Sequence, residues 1–306
     1  MPYFLPTDGP SEAPGRTLRA MLQRPGILRM PGACNGLAAL QAKRAGFEAV
    51  YLSGAAVSAS MGLPDVGVLT IDDVRFYLRQ VHRASGLPVL VDADTGFGEV
   101  LNVLHMTQLF EEAGAAAIQV EDQILPKKCG HLNEKKLADA YDMATKVAAA
   151  ARARRDTLIV ARTDAVANEG FEAAVNRAKL YVAAGADVVF PEALTSADML
   201  RDFAQKVQVP LLANMTEFGK TQFFTSSEFE AMGYKIVIWP VSALRVAARA
   251  QEGLYRTLAE TGEVGAQLDH MQTRAELYAT ISYHEYEALD RQLADEARTV
   301  AATLAG

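Results

Sequence analysis

Eight short apolar runs recur along the chain, and helix-length segments separate each run from the next. Four of the runs follow an Ala-Gly or Met-Gly pair, at Gly46, Gly114, Gly185 and Gly233, where a glycine typically ends a helix. Short strands without polar alternation are typical of parallel sheets that are covered on both faces. The predicted strands cover residues 27–32, 49–53, 88–92, 117–121, 157–162, 187–191, 210–214 and 235–239.

The repeated unit indicates the fold class. Eight strands that alternate with helices in one chain predict an α/β protein with a (β/α)8 barrel of the TIM type and a C-terminal helical extension. A doubly wound open sheet is the alternative, but such a sheet usually carries a glycine-rich phosphate turn after an early strand. The stretch "SGAAVSASMG" is a poor version of that turn, so the barrel is favoured.

No linker interrupts the repeats, so residues 1–306 are predicted to form a single barrel domain. The prolines and glycines near the start predict an irregular N-terminal arm over residues 1–15. Residues 241–306 have helical character throughout, which is more helix than one barrel requires. We expect the surplus helix to pack against another subunit.

Composition and charge exclude several classes of partner. The net charge of −7 and the pI near 5.4 argue against nucleic acid, because phosphate binding needs clustered cations. No run of 18 apolar residues is present, so no membrane span is expected. The N-terminus lacks the basic start and apolar stretch of a secretory signal. Two cysteines are too few for a disulfide framework, which favours a cytoplasmic location.

Polar residues end nearly all of the predicted strands, where a barrel of this type carries its active site. Asp92 and Asp94 close the third strand, and an i, i+2 spacing on a strand would point both carboxylates to the same face. Two carboxylates that close repel each other unless a cation lies between them. We therefore expect Mg²⁺ here, with Glu121 as a third source of oxygen ligands. The alternative is a solvated pair of acids at a strand end.

Two arginines lie near the same edge of the predicted barrel. Arg162 ends the fifth strand and Arg245 follows the eighth, where each would bind a substrate carboxylate or serve as a structural ion-pair partner. Together with the acids, they predict a site for a small polyanionic acid bound to a metal. Uncharged hydrogen-bonding groups come from other strand ends, namely Ser53, Gly54, Ala55, Asn214 and Thr216.

The segment "LPKKCGHLN" contains Cys129, one of only two cysteines. A plain surface turn is one interpretation, but the segment follows the fourth strand, and a thiol above a metal–carboxylate site favours a catalytic lid. The adjacent lysines would lower the pKa of the thiol, whereas closure would raise it by desolvation. His131 would act as a proton partner or anchor the loop.

The ordered set of motifs resembles the isocitrate lyase/phosphoenolpyruvate mutase superfamily. The resemblance extends from about residue 16 to about residue 290, and its cysteine segment is typical of the lyase branch and absent from the phosphonate mutases. The motifs include "YLSG", "GLPDVGVLT", "VDADTGFG", "VEDQ", "PKKCGH", "ARTDA", "FPEA", "NMTEFGKT" and "MQTRAELYATISYHEYEALD".

This resemblance implies a Mg²⁺-dependent carbon–carbon lyase, with Mn²⁺ as the alternative metal. The implied reaction cleaves 2-methylisocitrate to pyruvate and succinate in the methylcitrate cycle of propionate breakdown. Isocitrate or 2,3-dimethylmalate is the nearest alternative substrate, because one methyl group in a pocket is worth only about 1–3 kcal/mol. A phosphonopyruvate mutase or hydrolase is less favoured. The resemblance also implies a homotetramer in which the eighth helix is swapped between subunits.

The resemblance implies a role for individual residues. Cys129 would be the general acid that protonates the departing carbanion, and Tyr51 would handle the hydroxyl proton of the substrate. Family members often have a second glycine where Ala55 stands. The implied metal site comprises Asp92 as the direct ligand and Asp94, Glu121 and Asp65 around its waters. The implied substrate-binding residues are Ser53, Gly54, Ala55, Gly130, Arg162, Glu192, Asn214, Thr216, Arg245 and Arg274.

Overall fold

The computed structural model describes residues 12–128 and 135–305 of the chain. These residues divide into two compact units, Glu12–Ala247 and residues 248–305. The strands lie in the first unit, and the second unit is helical. That residues 1–306 form a single domain stays a prediction.

Eight strands form the centre of the first unit. Each lies within two residues of its predicted bounds, so the strand predictions are confirmed. The strands are β1 (Leu28–Pro31), β2 (Val50–Leu52), β3 (Val89–Asp92), β4 (Ala115–Glu121), β5 (Leu158–Thr163), β6 (Val188–Pro191), β7 (Leu212–Asn214) and β8 (Ile236–Trp239).

The strands close into a ring of parallel neighbours. β2 to β6 pair in sequence order within one five-stranded sheet, and β1, β8 and β7 form a three-stranded sheet. A bridge between Gly32 and Tyr51 joins β1 to β2, and a bridge between Val189 and Leu211 joins β6 to β7. The predicted (β/α)8 barrel is therefore confirmed, and the doubly wound alternative is wrong.

Helices connect the strands and continue beyond the last one. The predicted turn glycines between helices and strands, Gly46, Gly114, Gly185 and Gly233, all have positive φ angles, which glycine adopts without steric cost. The helices are α1 (Pro14–Gln23), α2 (Gly36–Arg44), α3 (Gly54–Ser60), α4 (Ile71–Ser85), α5 (Val100–Glu112), α6 (Ala140–Ala153), α7 (Val166–Glu169), α8 (Phe171–Ala183), α9 (Ala197–Lys206), α10 (Ser226–Ala231), α11 (Ser242–Thr261), α12 (Arg274–Thr280) and α13 (Tyr283–Ala305), with a 3-10 helix at Gly265–His270.

The first helix closes the N-terminal end of the barrel. α1 begins at Pro14, inside the predicted irregular arm, because proline fits the first turn of a helix. Leu18 and Leu22 belong to the same buried cluster as the side chains inside the barrel. A Cβ on Gly15 would lie 2.2 Å from the carbonyl oxygen of Asp156, which precedes β5. The opposite, C-terminal end of the strands is therefore the side left for a site.

The outer helices bury the other face of the strands. Met106 and Phe110 of α5 and Val147 of α6 are fully buried in one cluster with Val91 and Ile118 of the strands. Burying each such side chain stabilises the fold by about 1.5–3 kcal/mol. Both faces of β3, β4 and β5 are buried, which explains why most of their residues are apolar.

The second unit has little buried apolar surface of its own. Tyr255, Leu268, Leu293 and Val300 are all exposed by more than half of their area. Apolar side chains exposed in this number are typical of a surface that contacts another protein. No helix of the described residues is long and apolar enough to cross a membrane. Exchange of a helix between subunits stays a prediction.

Candidate active site

A cavity lies at the C-terminal ends of the strands in the first unit. Many of the predicted site residues line it, namely Tyr51, Ser53, Ala55, Asp65, Asp92, Glu121, Arg162, Glu192, Asn214, Thr216 and Arg245. Residues that were not predicted to belong to the site complete the lining: Lys127, Lys128, Phe190, Ile238, Pro240 and Val241.

Asp92 and Asp94 lie side by side, but not through the strand geometry predicted for them. β3 ends at Asp92, and Asp94 has a left-handed backbone with φ of 47°. The backbone N–H of Asp94 donates to Asp92 Oδ1 at 3.1 Å, so the chain turns sharply at this point. Burial raises the pKa of Asp94 to about 6, although the ammonium group of Lys127 opposes the shift.

Lys127 lies between two of the predicted metal-site acids. Its Nζ is 2.6 Å from Asp65 Oδ1 and 2.6 Å from Asp94 Oδ1, and its side chain is 4% exposed. Burial opposes the charge on this ammonium, yet Glu121, Asp94 and Asp92 raise the pKa of Lys127 well above its usual value. The lysine therefore stays charged and offsets part of the repulsion between the acids.

Glu121 ends β4 beside these acids and is buried. Its Oε2 lies 3.4 Å from a guanidinium nitrogen of Arg162. Its Oε1 is buried and accepts no hydrogen bond from the described residues. Burial raises the pKa of Glu121 well above its usual value, although Arg162 and Lys127 oppose the shift. A buried carboxylate oxygen of this kind requires a further partner, such as a water or an ion.

The acids fit a hard divalent cation that retains several waters. A Cβ on Gly54 would lie 3.1 Å from Asp94 Oδ1 and 3.3 Å from Asp92 Oδ2, so both carboxylates converge on the space beside this glycine. Glu121 Oε1 supplies a further oxygen without a partner among the described residues. Within residues 12–128 and 135–305, no three His, Cys, Asp or Glu side chains are grouped as a full ligand set. Carboxylate oxygens are the ligands that a hard divalent cation prefers, so the fit rests on the acids beside Gly54.

The residues after β2 contact the same carboxylates. Ser53 caps α3 by accepting the N–H of Ala56 at 3.3 Å. The backbone N–H of Gly54 donates to Asp92 Oδ2 at 3.2 Å. Ala55 follows and lines the cavity. The segment predicted to bind substrate therefore also fixes the orientation of Asp92.

A hydrogen-bond chain connects Tyr51 to the acids. The phenol of Tyr51 donates to Gln119 Oε1 at 2.8 Å, and Gln119 Nε2 donates to Asp92 Oδ1 at 3.1 Å. Burial and the charge of Asp92 raise the pKa of Tyr51 well above its usual value. The phenol is therefore neutral near pH 7 and acts as a hydrogen-bond donor.

Arg162 projects from β5 into the cavity and is held by three carboxylates. Its Nε and Nη2 donate to Asp164 at 2.9 and 3.2 Å. Its Nη2 also lies 3.3 Å from Glu192 Oε2, and its guanidinium stacks over Phe190 at 5.1 Å. The structural ion-pair interpretation is thus correct for one edge of Arg162, while the group still lines the cavity.

Arg245 also lines the cavity, near the start of α11. Its Nη1 donates to the carbonyl of Glu217 at 2.8 Å and lies 3.3 Å from Glu217 Oε2. Its guanidinium stacks over the exposed ring of Phe218 at 5.3 Å. Arg245 is far more exposed than Arg162, so its charge is available to a ligand in the cavity.

Uncharged groups complete the wall between the two arginines. Asn214 ends β7, and its Nδ2 donates to Glu192 Oε2 at 3.2 Å. The Oδ1 atom of Asn214 is buried and accepts no hydrogen bond from the described part of the chain. Thr216 follows two residues later and lines the cavity. These groups can donate and accept hydrogen bonds without adding charge.

Four predicted residues fall outside the described part of the first unit. Cys129, Gly130 and His131 lie outside the described residues. Arg274 is the first residue of α12 in the second unit and is exposed. Their predicted roles stay predictions.

Sequence reasoning missed three polar residues that contact the predicted ones. Lys127 was considered only for its effect on Cys129, and no feature of the sequence indicates its contact with Asp65. Gln119 lies inside a strand and gave no signal. Asp164 follows Arg162 by two residues in "ARTDA", and that spacing on one strand face would have predicted the ion pair.

The chain is similar to several proteins of one superfamily. Residues 18–259 match the family model described as phosphoenolpyruvate phosphomutase. The 2-methylisocitrate lyase of Aeropyrum pernix is 50% identical over 96% of this chain and 95% of its own length. The chain also resembles a crystal structure of a 2,3-dimethylmalate lyase, a member of the PEP mutase/isocitrate lyase superfamily. The two structures superimpose with a TM-score of 0.88 and 36% sequence identity, and the match covers 93% of this chain and 96% of the lyase chain. A phosphonopyruvate hydrolase in complex with oxalate and Mg²⁺ has a TM-score of 0.83 and 28% identity, and covers 92% of this chain and 99% of that chain.

Proposed function

The chain belongs to the PEP mutase/isocitrate lyase superfamily, and from this premise we propose that it cleaves 2-methylisocitrate to pyruvate and succinate. The observation that carries the proposal is one cavity whose lining combines the arginines Arg162 and Arg245 with the acids Asp92 and Glu121. A tricarboxylate requires cationic partners, and carbon–carbon cleavage requires stabilisation of negative charge on an oxygen. Similarity to 2-methylisocitrate lyases supports the choice of substrate.

The metal of this proposal is Mg²⁺, with Mn²⁺ as the alternative. We assign the direct contact to Asp92 and the bound waters to Asp94 and Glu121, with Asp65 as a further acid. When bound, the cation supplies Lewis-acid stabilisation of the negative charge on the substrate hydroxyl oxygen. Lys127 adds a fixed positive charge beside the same acids.

Two proton movements accompany the cleavage. We assign the handling of the hydroxyl proton to Tyr51, whose neutral phenol donates to Gln119 and can accept a hydrogen bond from the substrate hydroxyl. Because a neutral phenol cannot take up a proton, the hydroxyl proton passes to a carboxylate of the same cavity, which we assign to Glu121. When the carbon–carbon bond breaks, its electron pair stays on the carbon beside a carboxylate. The thiol of Cys129 donates its proton to that carbon to give succinate, and the other fragment is pyruvate. His131 is the proposed proton partner of this thiol.

Substrate binding in this proposal uses the two arginines and the uncharged wall. Arg162 and Arg245 each bind a carboxylate, and Asn214 and Thr216 hydrogen-bond to the substrate. The remaining proposed contacts are Ser53, Gly54, Ala55, Gly130, Glu192 and Arg274.

A coupled lactate dehydrogenase assay for pyruvate tests the proposal. The purified protein receives 2-methylisocitrate with Mg²⁺, Mn²⁺ or EDTA, and Cys129→Ser is measured in parallel. Pyruvate release that needs the metal and nearly disappears in Cys129→Ser is the expected result. Full activity in Cys129→Ser would remove the thiol from the mechanism, and no release by the wild type would reject the substrate.

A second substrate, 2,3-dimethylmalate, is favoured by one observation. The fold superimposes on a 2,3-dimethylmalate lyase with a TM-score of 0.88. Isocitrate, which lacks only the methyl group of 2-methylisocitrate, is the third substrate for comparison, since a pocket discriminates one methyl by only about 1–3 kcal/mol. The ratio of kcat/KM values for the three acids identifies the substrate.

The proposal also covers the oligomeric state of the protein and its location in the cell. We propose a homotetramer in the cytoplasm, supported by the exposed apolar side chains of residues 248–305. Size-exclusion chromatography with light scattering measures the oligomer. A monomer at micromolar concentration would contradict the assembly.

A further inference from the structure

A short antiparallel stem follows β4 beside the cavity. The backbone N–H of Ile124 donates to the carbonyl of Lys136 at 2.9 Å, and that of Ala138 donates to the carbonyl of Asp122 at 2.8 Å. Gln123 and Leu137 are paired between these two bonds. The stem holds the chain before and after residues 129–134 at one place on the barrel.

The side chain of Gln123 fixes the residue just before Cys129. Its Oε1 accepts the backbone N–H of Lys128 at 2.9 Å, and its Nε2 donates to the carbonyl of Lys128 at 2.9 Å. One amide therefore satisfies both polar groups of a single residue, as a neighbouring strand would do. This arrangement fixes the direction of the chain at Lys128.

The carboxylate of Asp164 connects both flanks of this segment to Arg162. Its Oδ1 accepts the ammonium of Lys135 at 2.6 Å, and its Oδ2 accepts Nε2 of Gln123 at 3.3 Å. The same two oxygens bind Arg162 at 2.9 and 3.2 Å. Asp164 is fully buried, so water does not replace these partners.

We infer that Asp164 is a positioning residue that orients Arg162 and, through Gln123 and Lys135, fixes the two ends of the segment that carries Cys129. The inference rests on the proposed function, in which Arg162 binds a substrate carboxylate and Cys129 donates a proton. It adds that the carboxylate that orients the binding group also holds the two described flanks of residues 129–134, at Lys128 through Gln123 and at Lys135 directly.

The charges around Arg162 explain why Asp164 has this effect. Two other carboxylates, Glu121 and Glu192, lie at 3.4 and 3.3 Å from its guanidinium nitrogens, on the cavity side. Asp164 balances them from behind with two shorter hydrogen bonds. Without the Asp164 charge, the guanidinium is drawn toward the cavity acids and loses its fixed plane.

Two variants separate the two effects of this carboxylate. Asp164→Asn keeps the shape and removes the charge, and we expect kcat/KM for 2-methylisocitrate to fall by about 100-fold, because a misplacement of about 1 Å has that effect. Gln123→Ala leaves the pair of Asp164 with Arg162 intact. It releases Lys128, so we expect kcat to fall by about 10-fold while KM changes by less than about twofold.

The chain provides a matched control at the other end of the barrel. Asp187 also accepts two arginines, Arg19 and Arg154, and the backbone N–H of Ile159. Asp187→Asn is expected to lower the melting temperature without changing kcat or KM. When Asp164 is already replaced by Asn, the further substitution Gln123→Ala should reduce kcat by no more than about twofold. The reason is that both substitutions act through the carboxylate of Asp164. Equal effects in both backgrounds would overturn the inference.

Limited trypsin digestion tests the anchoring without any assay of activity. Cleavage after Lys128 and Lys135, identified by mass spectrometry, should be on the order of 10-fold faster in Asp164→Asn and Gln123→Ala than in the wild type or Asp187→Asn. If the wild type releases no pyruvate, the proposed function fails, and the digestion still decides the anchoring. Unchanged cleavage rates, or unchanged kinetics of Asp164→Asn in an active enzyme, would overturn the inference.

Discussion

The substitution Gly54→Ala adds a single methyl group next to the paired acids. The new Cβ would lie 3.1 Å from Asp94 Oδ1 and 3.3 Å from Asp92 Oδ2, whereas ordinary contacts begin at 3.4 Å. Both carboxylates must therefore retreat by up to a few tenths of an ångström. Metal sites tolerate errors of about 0.2 Å, and Mg²⁺ demands a nearly ideal octahedron. We expect the half-saturating Mg²⁺ concentration to rise about 10- to 100-fold.

The same substitution should not weaken the metal-free fold. Gly54 is the first residue of α3, and alanine in a helix is more stable than glycine by about 0.5–1 kcal/mol. The assay is a Mg²⁺ titration of pyruvate release, with thermal unfolding in EDTA beside it. Gly253→Ala in α11, where a Cβ meets nothing within 4 Å, is the control. An unchanged Mg²⁺ requirement in Gly54→Ala would refute the assignment of these acids to the metal.

Three further substitutions test the fold and the site. The carboxylate of Glu111 accepts hydrogen bonds from the backbone N–H groups of residues 155–157. Burial raises the pKa of Glu111, but these hydrogen bonds outweigh it and lower the pKa. The carboxylate therefore stabilises the fold fully above the unfolded pKa near 4.3, and this stabilisation disappears as the pH falls through the lower folded pKa. In urea unfolding, Glu111→Gln should therefore lower the free energy of unfolding by about 2 kcal/mol at pH 7 and by progressively less as the pH falls below about 4.3. A loss that does not change with pH would contradict this account. Lys127→Met leaves the buried carboxylate of Asp94 without its cation, so the free energy of unfolding in EDTA should fall by about 3–5 kcal/mol. Mg²⁺ should restore part of this stability in thermal unfolding. Unchanged stability in EDTA would show that the ion pair is dispensable. Arg245→Lys should raise KM for 2-methylisocitrate about 10-fold in the coupled assay, because lysine cannot bind a carboxylate bidentately. An unaltered KM would show that the substrate carboxylate binds elsewhere.

The architecture of the barrel was predictable because its signals are local. Each strand of three to seven mostly apolar residues is preceded by a helix, and glycines such as Gly114 mark several of the turns between them. These features repeat eight times, so an error in one unit does not alter the fold. The start of α1 at Pro14 was missed, because a proline-rich arm and a helix with proline in its first turn look alike in sequence.

The site was predictable as a set of residues, but not as a set of contacts. Strand ends in a barrel meet at one edge, so Asp92, Glu121 and Arg162 were expected to lie together. The left-handed backbone of Asp94 depends on a turn that i, i+2 spacing does not reveal. The position of Lys127 between Asp65 and Asp94 depends on how two loops pack, which no local pattern encodes.

The way in which the ring of strands closes has a mechanical consequence. Strands β2 to β6 form one continuous arc that carries Asp92, Glu121 and Arg162, and β7, β8 and β1 form another that carries Asn214. Single bridges, at Gly32 and at Val189, join the two arcs. Each arc is stiff because its strands share full ladders of hydrogen bonds, while each junction is narrow. A change in the width of the cavity is therefore expected to come from rotation of one arc against the other, with the acids moving as one rigid group.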